Sequence, residues 1–207
     1  MKFYRILGLL IIFVANSTAF CSEGKLTFMV QEPKGSNLDL VSFEEKLVDF
    51  PFIIKYPAKW YVREETSGLM SGLFISREPV LKVEDQYKTG VGIYYLENYF
   101  FRTASPDSEW GKGAKSVHYV PNWDEQKNIY LTSLKEQGCV IFSAVDTMVS
   151  TYPSLKIEFQ SKDSRIITYF IKKDFDLINL LLEAPVKEFA GYQKLLESIV
   201  NSFQITE

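Results

Sequence analysis

Histidine and cysteine are scarce in this chain. Among 207 residues there is one histidine, His118, and two cysteines, Cys21 and Cys139. The four-ligand Cys/His zinc sites are excluded by that count. Basic excess is missing as well: 23 Lys and Arg face 26 Asp and Glu, for a net charge of −3. A nucleic-acid binder would carry a basic surplus or stripe. No apolar run approaches the ~20 residues that span a bilayer as a helix. There is no internal repeat, low-complexity tract or long linker to mark a second domain. Calcium loops of the Asp/Asn/Gly type are absent. Gly90-Val91-Gly92 and Gly111-Lys112-Gly113 fall short of a phosphate-binding fingerprint and read as turns or strand ends.

What the chain does have is an ordinary globular balance, with 46% hydrophobic and 24% charged residues. Aromatics are plentiful at 15%, mostly Phe and Tyr, which fits a sheet-rich core. The first 19 residues differ from the rest. Lys2 and Arg5 precede an apolar run from Ile6 to Ala15, followed by the small, polar Asn16-Ser17-Thr18-Ala19. This is the three-part pattern of a secretory signal, with cleavage expected after Ala19. A periplasmic or secreted bacterial protein follows, with no transmembrane span after cleavage. Cys21 raises lipid anchoring as an alternative, but Phe20 before it makes a poor lipidation box. Cys21 and Cys139 could also form one disulfide in an oxidising compartment. Cys139 stands in the apolar run Cys139-Val140-Ile141-Phe142, where a buried thiol is the simpler reading.

Residues 20–43 read as a leader, with a short strand at Leu26–Val30, and 44–207 as the folded domain. Strands are expected at Phe52–Tyr56, Trp60–Arg63, Leu73–Ser76 and Val91–Leu96. Residues 98–120 read as a long irregular excursion. Asn122 followed by Glu125 marks a helix start, and Gly138 its end. Val140–Val145 is apolar enough for a central strand. Leu155, Ile157 and Phe159 alternate with polar residues as a half-buried strand does. Ile166–Ile171 and Leu177–Leu182 complete an antiparallel meander through short polar turns. Pro185 opens a last helix, whose Phe189, Tyr192, Leu196, Ile199 and Phe203 form one apolar stripe.

The run Phe52-Ile53-Ile54-Lys55-Tyr56-Pro57-Ala58-Lys59-Trp60 resembles the opening of PsbP-like domains. So does the close, with Ala184-Pro185, Phe189, Tyr192 and Ile199-Val200-Asn201-Ser202-Phe203. The resemblance covers residues 44–205. It implies an α+β fold, an α/β/α sandwich with a central antiparallel sheet flanked by helices. Members of that family serve as extrinsic photosystem subunits, as a small-GTPase regulator and as bacterial envelope proteins. They share no catalytic residue that could be carried over to this chain.

The residues offer little chemistry of their own. His118 has no evident nucleophile or orienting acid nearby in sequence. Asp163, Asp174 and Asp176 belong to hairpin turns, where Asp serves the backbone. Glu44-Glu45 and Glu64-Glu65 read as solvated edges. Trp60, with Tyr56 and Pro57, reads as a core anchor rather than a ligand platform. The segment Tyr94 to Arg102 is denser in aromatics than a regular strand can bury. Tyr99, Phe100, Phe101 and Arg102 are therefore the candidate binding residues, as an exposed patch for a partner. The competing reading places these aromatics in a satellite core beneath the loop. The expected function is a non-enzymatic binding or accessory protein with an envelope protein partner and no cofactor. A small-ligand or metal carrier, and an enzyme with an unrecognised carboxylate site, are the alternatives.

Overall fold

The computed structural model describes residues 27–31, 40–45, 50–67, 70–79, 88–97, 99, 102–104, 117–119 and 123–206. The secretory pattern at residues 1–19, Cys21 and Asn122 lie outside these. In chain order the elements are β1 (Thr27–Gln31), β2 (Leu40–Glu45), β3 (Phe52–Pro57), β4 (Tyr61–Ser67), β5 (Met70–Ser76) and β6 (Gly90–Leu96). Then come β7 (Arg102–Ala104), β8 (Val117–Tyr119), α1 (Trp123–Glu136), β9 (Val140–Val149) and β10 (Tyr152–Ser161). The chain finishes with β11 (Ser164–Lys173), β12 (Asp176–Pro185), α2 (Phe189–Asn201) and β13 (Gln204–Ile205).

Eight strands form one antiparallel sheet in the order β1-β4-β5-β6-β12-β11-β10-β9. The last four are the expected meander. Their turns place Ser150, Lys162 and Asp174 at φ near +54°, +53° and +53°, the left-handed region favoured by tight hairpins. A second sheet pairs β13, β3 and β2, and β7 pairs with β8 as a separate ribbon. β1 and part of β2 come from the leader segment, which thus contributes strands to both larger sheets.

The expected helix-flanked α/β/α sandwich is not what forms. The protein is mostly β, with two helices among the described residues. The physical reason lies at Pro57–Trp60. There the amide of Trp60 closes a turn on the Pro57 carbonyl at 2.9 Å. β3 and β4 lie on either side of this turn but in different sheets. One face of the large sheet is therefore covered partly by the small sheet and only partly by α2. Phe50, Phe52 and Ile54 pack there with Ile93, Leu180, Leu196, Ile199 and Phe203. Phe50 stacks on Tyr95 at 4.8 Å. Trp60 is in this core, as a packing anchor should be.

The opposite face receives α1. Tyr130 and Leu134 are fully buried against Leu155, Ile157, Phe159 and Phe170. The Tyr130 ring stacks on Phe170 at 4.1 Å. Cys139, a free thiol, closes this second core, and burial pushes its pKa up while Ser161 pulls it back.

Candidate functional site

Among the described residues β9 ends the large sheet, pairing with β10 on one side only. Its sequence suits a central strand, yet the structure puts it at the edge. Apolar content alone does not report position, because Ile141 and Val149 pack inward while their neighbours turn out. Val140, Phe142, Val145 and Met148 are 56%, 49%, 50% and 58% exposed. They are four of the eight large apolar side chains that the described residues leave exposed, so the outer surface is concentrated here. A bulge opposite Glu158/Phe159 makes Phe142 the extra residue of the ladder. It turns Phe142 beneath the Arg165 guanidinium, 3.3 Å from the ring centroid. Arg165 is itself held by Glu158 at 2.6 and 3.0 Å. From Ser143 to Val149 the strand is regular. Its one charged side chain, Asp146, accepts from Lys127 of α1.

A second feature lies toward the other end of the sheet, on the α1 face. Arg63 pairs with Glu65 at 2.9 Å, both nearly buried, and the guanidinium rests 4.8 Å over the Phe74 ring. Burial pushes the Glu65 carboxyl up against the pull of Arg63. Tyr94 is fully buried, and its pKa is pushed well up by burial, then by Glu65 and Glu183. Burial pushes Glu183 up to about 7; Ser164 opposes this and Glu78 adds to it. For Glu78 burial works the same way, but the amides of Thr89 and Lys88, with Arg77, outweigh it and hold its carboxyl low. Arg77 also bonds Glu188 and the Tyr192 hydroxyl, tying the end of β5 to α2.

These polar groups serve packing more visibly than chemistry. A cleft on the opposite face, lined by Phe50, Phe52, Ser71, Gly72, Leu73, Ile93 and Tyr95, has room for about one water. Among the described residues no three of His, Cys, Asp and Glu gather as a metal site. No helix among them is long and apolar enough to cross a membrane.

Of the candidate binding residues, the structure describes Tyr99 and the strand position of Arg102. Tyr99 is 5% exposed and belongs to the α1-side core, where its hydroxyl accepts from Gln126 at 3.3 Å. Phe100 and Phe101 lie outside the described residues. Arg102 opens β7, opposite Tyr119, and His118 pairs with Thr103. Sequence reasoning missed the β9 edge and the burial of Glu65, which it took for a solvated residue. It also passed over Glu183. The signal there was a lone carboxylate in the run Leu180-Leu181-Leu182-Glu183-Ala184.

No family model matches the chain, and no curated protein does. Among solved structures the chain is similar to the solution structure of cyanobacterial PsbP (CyanoP) from Synechocystis sp. PCC 6803. That match has a TM-score of 0.46 and 7% identity, covering 81% of this chain and 92% of that one. A crystal structure from Bacteroides thetaiotaomicron VPI-5482 has a TM-score of 0.36 and 17% identity. It covers 75% of this chain, which spans 45% of that one.

Proposed function

We propose that this protein is a non-enzymatic binding or accessory module that docks through the free edge of β9. One observation carries the reading: a ten-residue edge strand exposing Val140, Phe142, Val145 and Met148. Edge strands of monomeric proteins are commonly blunted by lysine, proline, shortness, bulges or charge. β9 has a bulge at Phe142 and one charge, Asp146, but from Ser143 to Val149 it is regular and free of lysine and proline. An extended partner segment would add to the open ladder by main-chain hydrogen bonds, with the exposed side chains supplying apolar contact. The secretory pattern at residues 1–19 supports a periplasmic or secreted site of action.

The test is affinity capture with cross-linking and mass spectrometry, comparing the unsubstituted chain with Val145→Lys. A partner cross-linked to Lys135 or Lys156, beside β9, and lost in the variant supports the reading. Capture that is unchanged in a folded Val145→Lys protein overturns it.

A further inference from the structure

We infer that the occupant of the β9 edge is a second copy of this chain, paired antiparallel across a two-fold axis. The inference rests on the docking reading above and names its partner. A two-fold interface needs a surface that is complementary to itself. A strand carrying charges of one sign along its edge fails that condition, since like charges face each other across the axis. β9 satisfies it. Its sequence VIFSAVDTMV has a single charge, Asp146, and Lys127 already neutralises that carboxylate at 2.9 and 3.1 Å.

Side-chain alternation requires a residue on the axis, and Val145 is the centre that sets Asp146 opposite the smallest side chain of the strand, Ala144. Paired residues in an antiparallel ladder must point to the same face, so a residue on the axis meets its own copy. Centring on Asp146 would set two carboxylates opposite each other. Centring on Val145 sets Val145 against Val145 of the partner subunit, Ser143 against Thr147 of the partner subunit, and Ala144 against Asp146 of the partner subunit. Every pair in this register is apolar with apolar, hydroxyl with hydroxyl, or charged with small. The regular stretch from Ser143 onward carries it, and the bulge at Phe142 marks one end. The two large sheets would then join into one continuous sheet of sixteen strands, twice the eight of one copy. Val145, half-exposed in the single chain, would be covered.

The experiment is sedimentation equilibrium of the full chain, with hydrogen exchange across β9 and cysteine cross-linking. The expected result is a dimer with slowed exchange at residues 143–147. Val145→Lys should weaken it by about tenfold or more, because two ammonium groups would meet on the axis. Val145→Cys should cross-link to itself under mild oxidant and Thr147→Cys should not, the unsubstituted chain setting the background from its own cysteines. A dimer that ignores Val145→Lys, or one that cross-links at Thr147→Cys instead, overturns the inference. So does a monomer at every concentration. If that monomer still captures a different protein in a β9-dependent way, the docking reading stands and only the second copy falls. If it captures nothing through β9, both fall.

Discussion

The ammonium of Lys127 lies 2.9 Å from one carboxylate oxygen of Asp146 and 3.1 Å from the other, and so joins α1 to the edge strand. The same ammonium reaches Asp124 at 2.6 Å. Lys127→Met should leave Asp146 as an uncompensated charge on the free edge. Stability should change by less than about 1 kcal/mol, since both carboxylates are largely exposed. Association through β9 should weaken visibly, because Asp146 would have to be desolvated without its counter-ion. A thermal melt and a sedimentation series on the same samples check the two halves. An association constant that follows the melt would point to simple destabilisation instead.

Glu183 should govern part of the pH dependence of stability. Its folded pKa is raised to about 7 from an ordinary 4.5, chiefly by burial. The folded state therefore holds a proton that the unfolded state releases more readily. This contribution is fully present below about pH 4.5, shrinks through the interval up to about 7, and is absent above it. Glu183→Gln keeps the shape and can keep the Ser164 contact, yet never ionises. The variant should be more stable than the parent at pH 8, by on the order of 2 kcal/mol. The gap should fall to about a quarter of that at pH 5. Chemical denaturation at both values measures it, and an equal difference at the two would exclude Glu183 as the titrating group.

The meander from β9 to β12 was legible because each strand is set by local signals. Leu155, Ile157 and Phe159 alternate with half-buried polar partners, and the turns between strands carry residues that accept a left-handed backbone. The stripe on α2 was equally plain, with Phe189, Leu196 and Ile199 buried, but Phe203 packs just beyond the helix end and Pro185 closes β12 instead of opening the helix. What the sequence left unreadable was non-local. Nothing near Pro57 says that β3 and β4 part into different sheets, so the layering was misread. Val140–Val145 looks central because an apolar edge and an apolar centre have the same composition. Glu65 looks solvated beside Glu64, until β4 alternation turns it inward onto Arg63. Tyr99 is buried, and the partner of its hydroxyl, Gln126 of α1, is 27 positions away in the chain.

Tyr94 gives the clearest test of the buried polar strip. Its ring meets Phe74 edge-on at 5.3 Å, and its hydroxyl is buried without a hydrogen-bond partner among the described residues. Tyr94→Phe keeps the ring contact and removes an unsatisfied polar group. It should be neutral or stabilising, by up to about 1 kcal/mol. Tyr94→Ala should instead cost about 3–5 kcal/mol through the lost ring. Urea denaturation of the pair separates these effects. A marked loss in Tyr94→Phe would mean that the hydroxyl is bonded after all, by water or by another part of the chain.

Gly138 ends α1 with a backbone that other residues resist. Its φ is +74°, the left-handed region. The amide of Gly138 bonds the Lys135 carbonyl at 2.9 Å, and that of Cys139 bonds the Leu134 carbonyl at 3.0 Å. This is the paired closure of a Schellman motif. No heavy atom lies within 4 Å of where a Cβ would stand, so crowding cannot be the objection to a side chain. The cost of Gly138→Ala is then conformational alone, about 1 kcal/mol. Gly138→Asn should cost less, because asparagine tolerates this region. Equilibrium unfolding of both variants should rank Gly above Asn above Ala. If alanine proved as good as glycine, the helix must be ending by a different route, and the placement of β9 directly after it would need the same revision.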